Sequence, residues 1–418
     1  MDDNKLVRAN KNDNSIKVMI AIIAVLALLI VGLCLYLFVF GKDSPGGEVS
    51  ADGGEQSHIS EPVSEAAPAI SEVPSYEEPS SEPEVISAAE SFEEPSEESS
   101  APEEISTGPE EEPEHRWVIN YLGYTYLYQG YGFEQFTFSN NIVSRYTSAV
   151  NKLKELAGAK KVYQILVPTN CEFFYIPASV KQEDDFYCAS QRKFMNAVFN
   201  AVDASIVNVD VYDAIETHYD EKLYYNSDPN YTHLGAYYVY EVFCKAAGIA
   251  PITAASYPQK TLNEQFLGKF FTSTHSERVM NNADKFVYFD IDELYNASEK
   301  VYRGTGVVNR KGVIFADTGS YNYYTFLGEE ARKIEITGSG DSSRSLLLIG
   351  DSSAAAFATF LVPNYAKITY INSALHSDNI VDLLSGGEFD DVVLIHYNTT
   401  AGRLLYSDLN RLTGNTNE

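Results

Sequence analysis

Hydrophobic positions along this chain fall into three regimes, each predicting a different kind of structure. From Val18 to Phe40 the sequence VMIAIIAVLALLIVGLCLYLFVF is apolar and uncharged over 23 residues. A helix of that length spans roughly 34 Å, enough to cross a bilayer with some tilt. From Asp43 to His115 apolar residues are sparse and aperiodic among Ser, Glu, Pro, Ala and Gly. Such a segment cannot bury enough surface to offset its conformational entropy, so it predicts a disordered spacer. Beyond Arg116 short apolar runs with polar ends appear: KVYQILVP (161–168), SLLLIGDS (345–352), KITYINS (367–373) and DVVLIHYN (391–398). Runs of this kind mark strands covered on both faces, and ASIVNVDV (204–211) is a more alternating relative. Helical stretches such as NNIVSRYTSAVNKLKELAG and AAAFATFLVPNYA lie between them. The alternation predicts a three-layer α/β fold with a mainly parallel sheet. Residues 258–344, aromatic and turn-rich, are expected to be an insertion on the same core. The predicted organisation is a tail over 1–17, a transmembrane helix over 18–40, a linker over 41–115 and a folded domain over 116–418.

Charge sharpens this picture. The 418 residues carry a formal net charge of -29, but 22 acidic residues and no Lys or Arg lie between Asp43 and His115. The excess therefore belongs to the spacer, and the folded domain is only mildly acidic. No basic surface is available for a nucleic-acid partner. Lys5, Arg8, Lys11 and Lys17 precede the apolar run while Lys42 alone follows it closely. That bias predicts a single-pass protein with its N-terminus in the cytoplasm and its domain outside the cell membrane. A cleavable signal peptide would have a shorter apolar core and a small-residue cleavage site, which YLFVFGKDS does not provide. Outside the span lie Cys171, Cys188 and Cys244. They have no metal-ligand spacing, and no cofactor is expected. Three buried thiols are the expected state, with a Cys171–Cys188 bridge as the competing reading.

The stretch LLLIGDSSAAAF carries the chemistry. A buried strand ends at Gly350, and Asp351, Ser352 and Ser353 turn into an Ala-rich helix. That junction is where open α/β sheets bind ligands, and free N–H groups at a helix start can stabilise an oxyanion. Gly-Asp-Ser here resembles the nucleophile block of SGNH-type hydrolases. The wider pattern resembles the bacterial DHHW family, relatives of the alginate O-acetylation proteins. LVPTN (166–170) matches its Val-Pro-Thr strand, and DPNYTHLGA (228–236) aligns with its Asp-His-His-Trp-Thr-x-x-Gly-Ala block. YYTFLGEEARKIEI (323–336) matches a Phe-Leu-Gly segment, and LIHYN (394–398) matches the C-terminal strand.

The resemblance implies an SGNH/flavodoxin-like fold and a serine acting with a histidine held by an aspartate. By position Ser352 matches the nucleophile and Asp228 the orienting acid. Pro229 and Asn230 replace the histidines and Tyr231 the Trp. An amide has no useful basicity at neutral pH, so the aligned base is absent. His233, at the helix start after Thr232, and His396, on the strand end, are the substitutes to consider. Asn230, Tyr231, Asp351, Tyr397 and Asn398 are candidate substrate contacts. Two functions follow as expectations. One is a cell-surface domain that binds envelope polysaccharide or a surface protein with little or no turnover. The other is a serine-dependent O-acetyl esterase or O-acetyltransferase acting on such glycan.

Overall fold

The apolar runs form the centre of one large sheet. A computed structural model describes residues 112–414 apart from 121–122, 305, 317–320, 339–341, 387–388 and 404. The apolar run 18–40 and nearly all of the spacer lie outside the described residues. Among those described, no helix is long and apolar enough to cross a membrane. Folded contacts begin before Arg116: Arg278 donates from N and Nε to Glu112 at 3.0 and 2.7 Å.

In chain order the first strands are β1 (His115–Asn120), β2 (Gly123–Tyr128) and β3 (Tyr131–Glu134), followed by helix α1 (Asn140–Ala157) and β4 (Lys161–Val167). Next come α2 (Gln191–Ala201), β5 (Ile206–Val209), α3 (His233–Ala247), β6 (Gln259–Phe266) and β7 (Asp284–Phe289). Then follow β8 (Ser298–Arg303), β9 (Gly306–Lys311), β10 (Lys333–Thr337), β11 (Ser345–Gly350) and α4 (Ser353–Phe360). The chain closes with β12 (Lys367–Asn372), β13 (Asp391–Tyr397) and α5 (Leu405–Thr413).

The main sheet has eight strands in the order β5-β4-β13-β11-β12-β10-β8-β9. The first five are mutually parallel, and β4, β13, β11 and β12 among them are buried on both faces. The last three pair antiparallel, so the sheet is mixed. The segment 258–344 is thus more than an insertion: it supplies β8, β9 and β10 and extends the sheet itself. Pleat alternation splits the core in two. Ile165, Leu346, Leu348, Val393 and Ile395 pack under Val239 and Phe243 of α3 and Phe357 of α4. Val162, Leu166, Leu347, Ile349 and Leu394 pack on the other side against Val150 and Leu153 of α1 and Leu412 of α5. Cys171 and Cys188 form a disulfide, overturning the expectation of three thiols. It closes the loop after β4, while Cys244 stays free and buried. Burial pushes the Cys244 thiol up to about 12, so it is an inert core residue.

Candidate functional site

Strand β11 ends where Gly350 pairs with Asn372 of β12 and Ile395 of β13, at the carboxyl edge of the parallel half. Asp351 then brackets the turn. Its Oδ1 accepts from Ser353 N at 2.9 Å and Ser353 Oγ at 2.5 Å, and its Oδ2 accepts from Tyr397 N at 3.0 Å. These bonds tie the start of α4 to the end of β13, so Asp351 is a clamp on the turn. Ser352 is the residue this clamp projects, half-buried in a small cleft.

Ser352 Oγ donates to Asn230 Oδ1 at 2.8 Å. Asn230 Nδ2 donates in turn to Asp228 Oδ1 at 2.8 Å, and Asn230 N donates to the same oxygen at 3.0 Å. Residues 122 apart in sequence thus meet in a line of serine, amide and carboxylate. The other carboxylate oxygen, Asp228 Oδ2, accepts from Tyr321 Oη at 2.6 Å and Lys269 N at 2.9 Å. Four donors on one buried carboxylate hold it in place. Burial first, then the Asp228 charge, pushes the Tyr321 phenol well above its ordinary value, so it is a neutral donor.

The loop bearing Asp228 is pinned from behind. Asp284 of β7 accepts from Asn226 N and Ser227 N, each at 2.8 Å, and from Ser227 Oγ at 2.6 Å. Gly268 packs so tightly against Asp228 that a methyl group at its Cα would collide with the carboxylate. Beyond the serine the cleft is walled by Lys269, Tyr321, Tyr324, Glu330, Tyr370 and Asn372, around a cavity of about 20 Å³. Lys269 Nζ lies 4.9 Å from the centre of the Tyr321 ring and 3.9 Å from Glu330 Oε1.

Neither substitute histidine serves the serine. The His233 ring is fully buried; its Nδ1 accepts from Phe289 N at 3.0 Å, so its Nε2 carries the proton to Thr359 Oγ1 at 2.9 Å. Burial depresses its pKa well below the ordinary value, and it is a core residue joining α3, α4 and β7. His396 falls on the wrong side of the sheet. In β13 it alternates with Ile395 and Tyr397 and lies on the α1 face, with Nδ1 3.4 Å from Tyr146 Oη and Nε2 3.2 Å from Ser373 Oγ. Burial lowers its pKa to about 4.

Tyr231 and Tyr397 are brackets below the cleft. Tyr231 N donates to Tyr397 Oη at 2.9 Å, and Tyr231 Oη donates to Ser353 O at 2.5 Å. Asn398 is fully buried, and its amide finds no hydrogen-bond partner among the described residues. Tyr231, Tyr397 and Asn398 thus lie outside the lining of the cleft, which Lys269, Tyr321, Tyr370 and Asn372 form beside Ser352 and Asn230. The Tyr-rich run YNYYTFLG beside the Phe-Leu-Gly segment was the one sequence signal for any of these.

Comparison with known proteins bears on this geometry. A family model described as "DHHW protein" matches residues 111–371, more than half of the chain. Among solved structures, a DHHW family protein from Eubacterium siraeum is 23% identical with a TM-score of 0.61, covering 71% of this chain and 98% of that one. Bacillus cereus PatB1, solved with a sulfonyl adduct, is 13% identical with a TM-score of 0.57, covering 70% and 98% respectively. The O-acetyltransferase domain of Pseudomonas putida AlgJ is 11% identical with a TM-score of 0.39, covering 72% and 99%. No curated protein matches the chain.

Proposed function

The chain belongs to the DHHW family, and from that premise we propose that its domain binds envelope polysaccharide at the Ser352 cleft with little or no turnover, in a role related to polysaccharide O-acetylation. The observation carrying this reading is the Ser352–Asn230–Asp228 line, in which the amide fills the place of the base. Asn230 Oδ1 accepts the serine proton as a hydrogen bond but has no basicity with which to remove it. Ser352 Oγ is left with lone pairs toward the cleft, suited to accept a hydrogen bond from a ligand hydroxyl. The family resemblance supplies the ligand class. Rings of Tyr321, Tyr324 and Tyr370 beside the Asn372 amide suit a sugar, which presents both apolar faces and hydroxyls. The same reading includes an uncleaved membrane anchor at 18–40, supported by that run's length and flanking charges.

Full-length protein incubated with p-nitrophenyl acetate tests the absence of turnover. Wild type and Ser352→Ala are expected to give equal background rates. A rate that depends on Ser352 would establish the second reading, a serine-dependent O-acetyl esterase or O-acetyltransferase. What favours that second reading is the intact hydrogen-bonded line from Ser352 to Asp228.

A further inference from the structure

A groove of about 440 Å³ lies behind the Asp228 loop, between the outer edge of β7 and the segment Glu221–Asn226. Among the described residues β7 pairs only with β6, so one edge of it has no strand partner there. Which groups face outward follows from two bonds. Asp290 N reaches Pro258 O on the β6 side at 2.8 Å, whereas Phe289 N points away from β6 to His233 Nδ1 at 3.0 Å. The irregularities in this pair fall on β6, and β7 alternates regularly from Phe289 back to Asp284. Val287 and Lys285 therefore present their N–H and C=O groups outward, like Phe289. No bond to either residue's outward groups is present among the described residues. Unpaired backbone groups at a two-residue repeat, on half-buried Val287 and exposed Lys285, are what strand addition requires.

The ends of the groove limit what can enter. Asn226 closes one end, with its N donating to Asp284 Oδ1 at 2.8 Å and its Nδ2 to Asn282 O at 3.3 Å. His233 closes the other by capping Phe289. Between these stops the free edge is only a few residues long, which admits a short segment and excludes the longer edge strand of a folded second copy. Leu234 and Val287 offer apolar surface and Lys222 stands at the rim, where Lys285 is paired with Glu264 at 3.1 Å and Glu221 is taken up by His218 and Tyr238 at 2.8 and 2.6 Å. Lys222 Nζ bonds the neutral Asn226 amide at 3.3 Å, leaving its charge available to an anionic side chain. We infer that this groove is a second binding site, separate from the Ser352 cleft, that takes a short extended peptide carrying acidic side chains by adding it as a strand to β7.

Fluorescence anisotropy of full-length protein with labelled pentapeptides of alternating Val and Glu tests this, with the all-D peptides and a cello-oligosaccharide as controls. The L-peptides are expected to bind and both controls to fail. Val287→Pro removes one outward N–H from an edge where proline is tolerated, and is expected to weaken binding tenfold or more. Leu234→Trp, which fills the groove without changing backbone, is expected to do the same and covers the case in which the proline variant fails to fold. Ser352→Ala is expected to bind peptide as wild type does, separating this site from the cleft. Unchanged affinity in folded Val287→Pro and Leu234→Trp would overturn the inference, as would failure of every L-peptide at millimolar concentration. A concentration-dependent dimer abolished by Val287→Pro would instead assign the edge to a second copy and overturn it equally.

Discussion

Replacing Asn230 by His is the sharpest test of whether a base at this position would complete the Ser352–Asn230–Asp228 line. Asn230 bridges two 2.8 Å hydrogen bonds, one from Ser352 Oγ and one to Asp228 Oδ1. An imidazole at this position can place Nδ1–H on Asp228, as the Nδ2 group does now. Its Nε2 then extends roughly one bond length further than the amide oxygen does. With Ser352 Oγ already at hydrogen-bond distance from that oxygen, the serine must rotate outward, and the cleft beside it gives it room. A positioned general base contributes about 10²–10⁴-fold, and an off-rotamer serine costs up to about 1.4 kcal/mol, or tenfold. Asn230→His should therefore raise p-nitrophenyl acetate hydrolysis by about 10–10³-fold over background. The rate should depend on Ser352 and rise with pH through the imidazole pKa near 6.5. The assay compares Asn230→His with Asn230→His/Ser352→Ala at matched thermal stability. If the folded single variant gains no Ser352-dependent rate, the line of residues is not a triad lacking its base, and the reasoning fails.

Other consequences are open to measurement. Tyr321→Phe deletes the 2.6 Å donor to Asp228 and should cost about 1–3 kcal/mol in denaturant titration, as well as weakening polysaccharide binding. Gly268→Ala should destabilise by about 1–3 kcal/mol and displace Asp228, a combination that a crystal structure of the variant would reveal. The Cys171→Ser/Cys188→Ser pair opens a loop of sequence separation 17 and should lose about 3 kcal/mol of stability on the chain-entropy account. His396, with its pKa held at about 4, binds no proton in the fold where an unfolded chain would bind one below about 6.5. Stability from this residue is thus complete above pH 6.5 and declines as pH falls toward 4, by about 1.4 kcal/mol per unit. Denaturant midpoints of wild type against His396→Gln should diverge across that window, and parallel curves would contradict the buried neutral imidazole.

How much of this was legible in the sequence depended on which physical rule governed each element. Four of the five parallel strands were readable because burial on both faces writes a continuous apolar run, as in LLLIG and VVLI, while the edge strand β5 showed a more alternating pattern. β8 and β9, SEKVYR and GVVNRK, were not, because they lie at one end of the sheet and half of their side chains face solvent. The Gly-Asp-Ser turn located Ser352, since a strand that ends at a glycine and flows into an Ala-rich helix leaves few alternatives. His396 shows where such reading stops. A strand-end position names the edge of the sheet, but the face depends on a period of two, so one residue separates the cleft side from the α1 side. His233 was obscured differently: a helix-start histidine usually meets solvent, and here Phe289 N and Thr359 Oγ1 consume both ring nitrogens. Beyond its place in a Tyr-rich run, Tyr321 left no signal of its role, because its hydroxyl acts on a carboxylate 93 positions upstream. The departure of Asn230 from the family's pattern was visible in the sequence, and the structure adds what the amide does there. It makes two of the hydrogen bonds a histidine would make, so the serine and the carboxylate stay in line, and on the reading proposed above an ordered cleft of this kind binds without turnover.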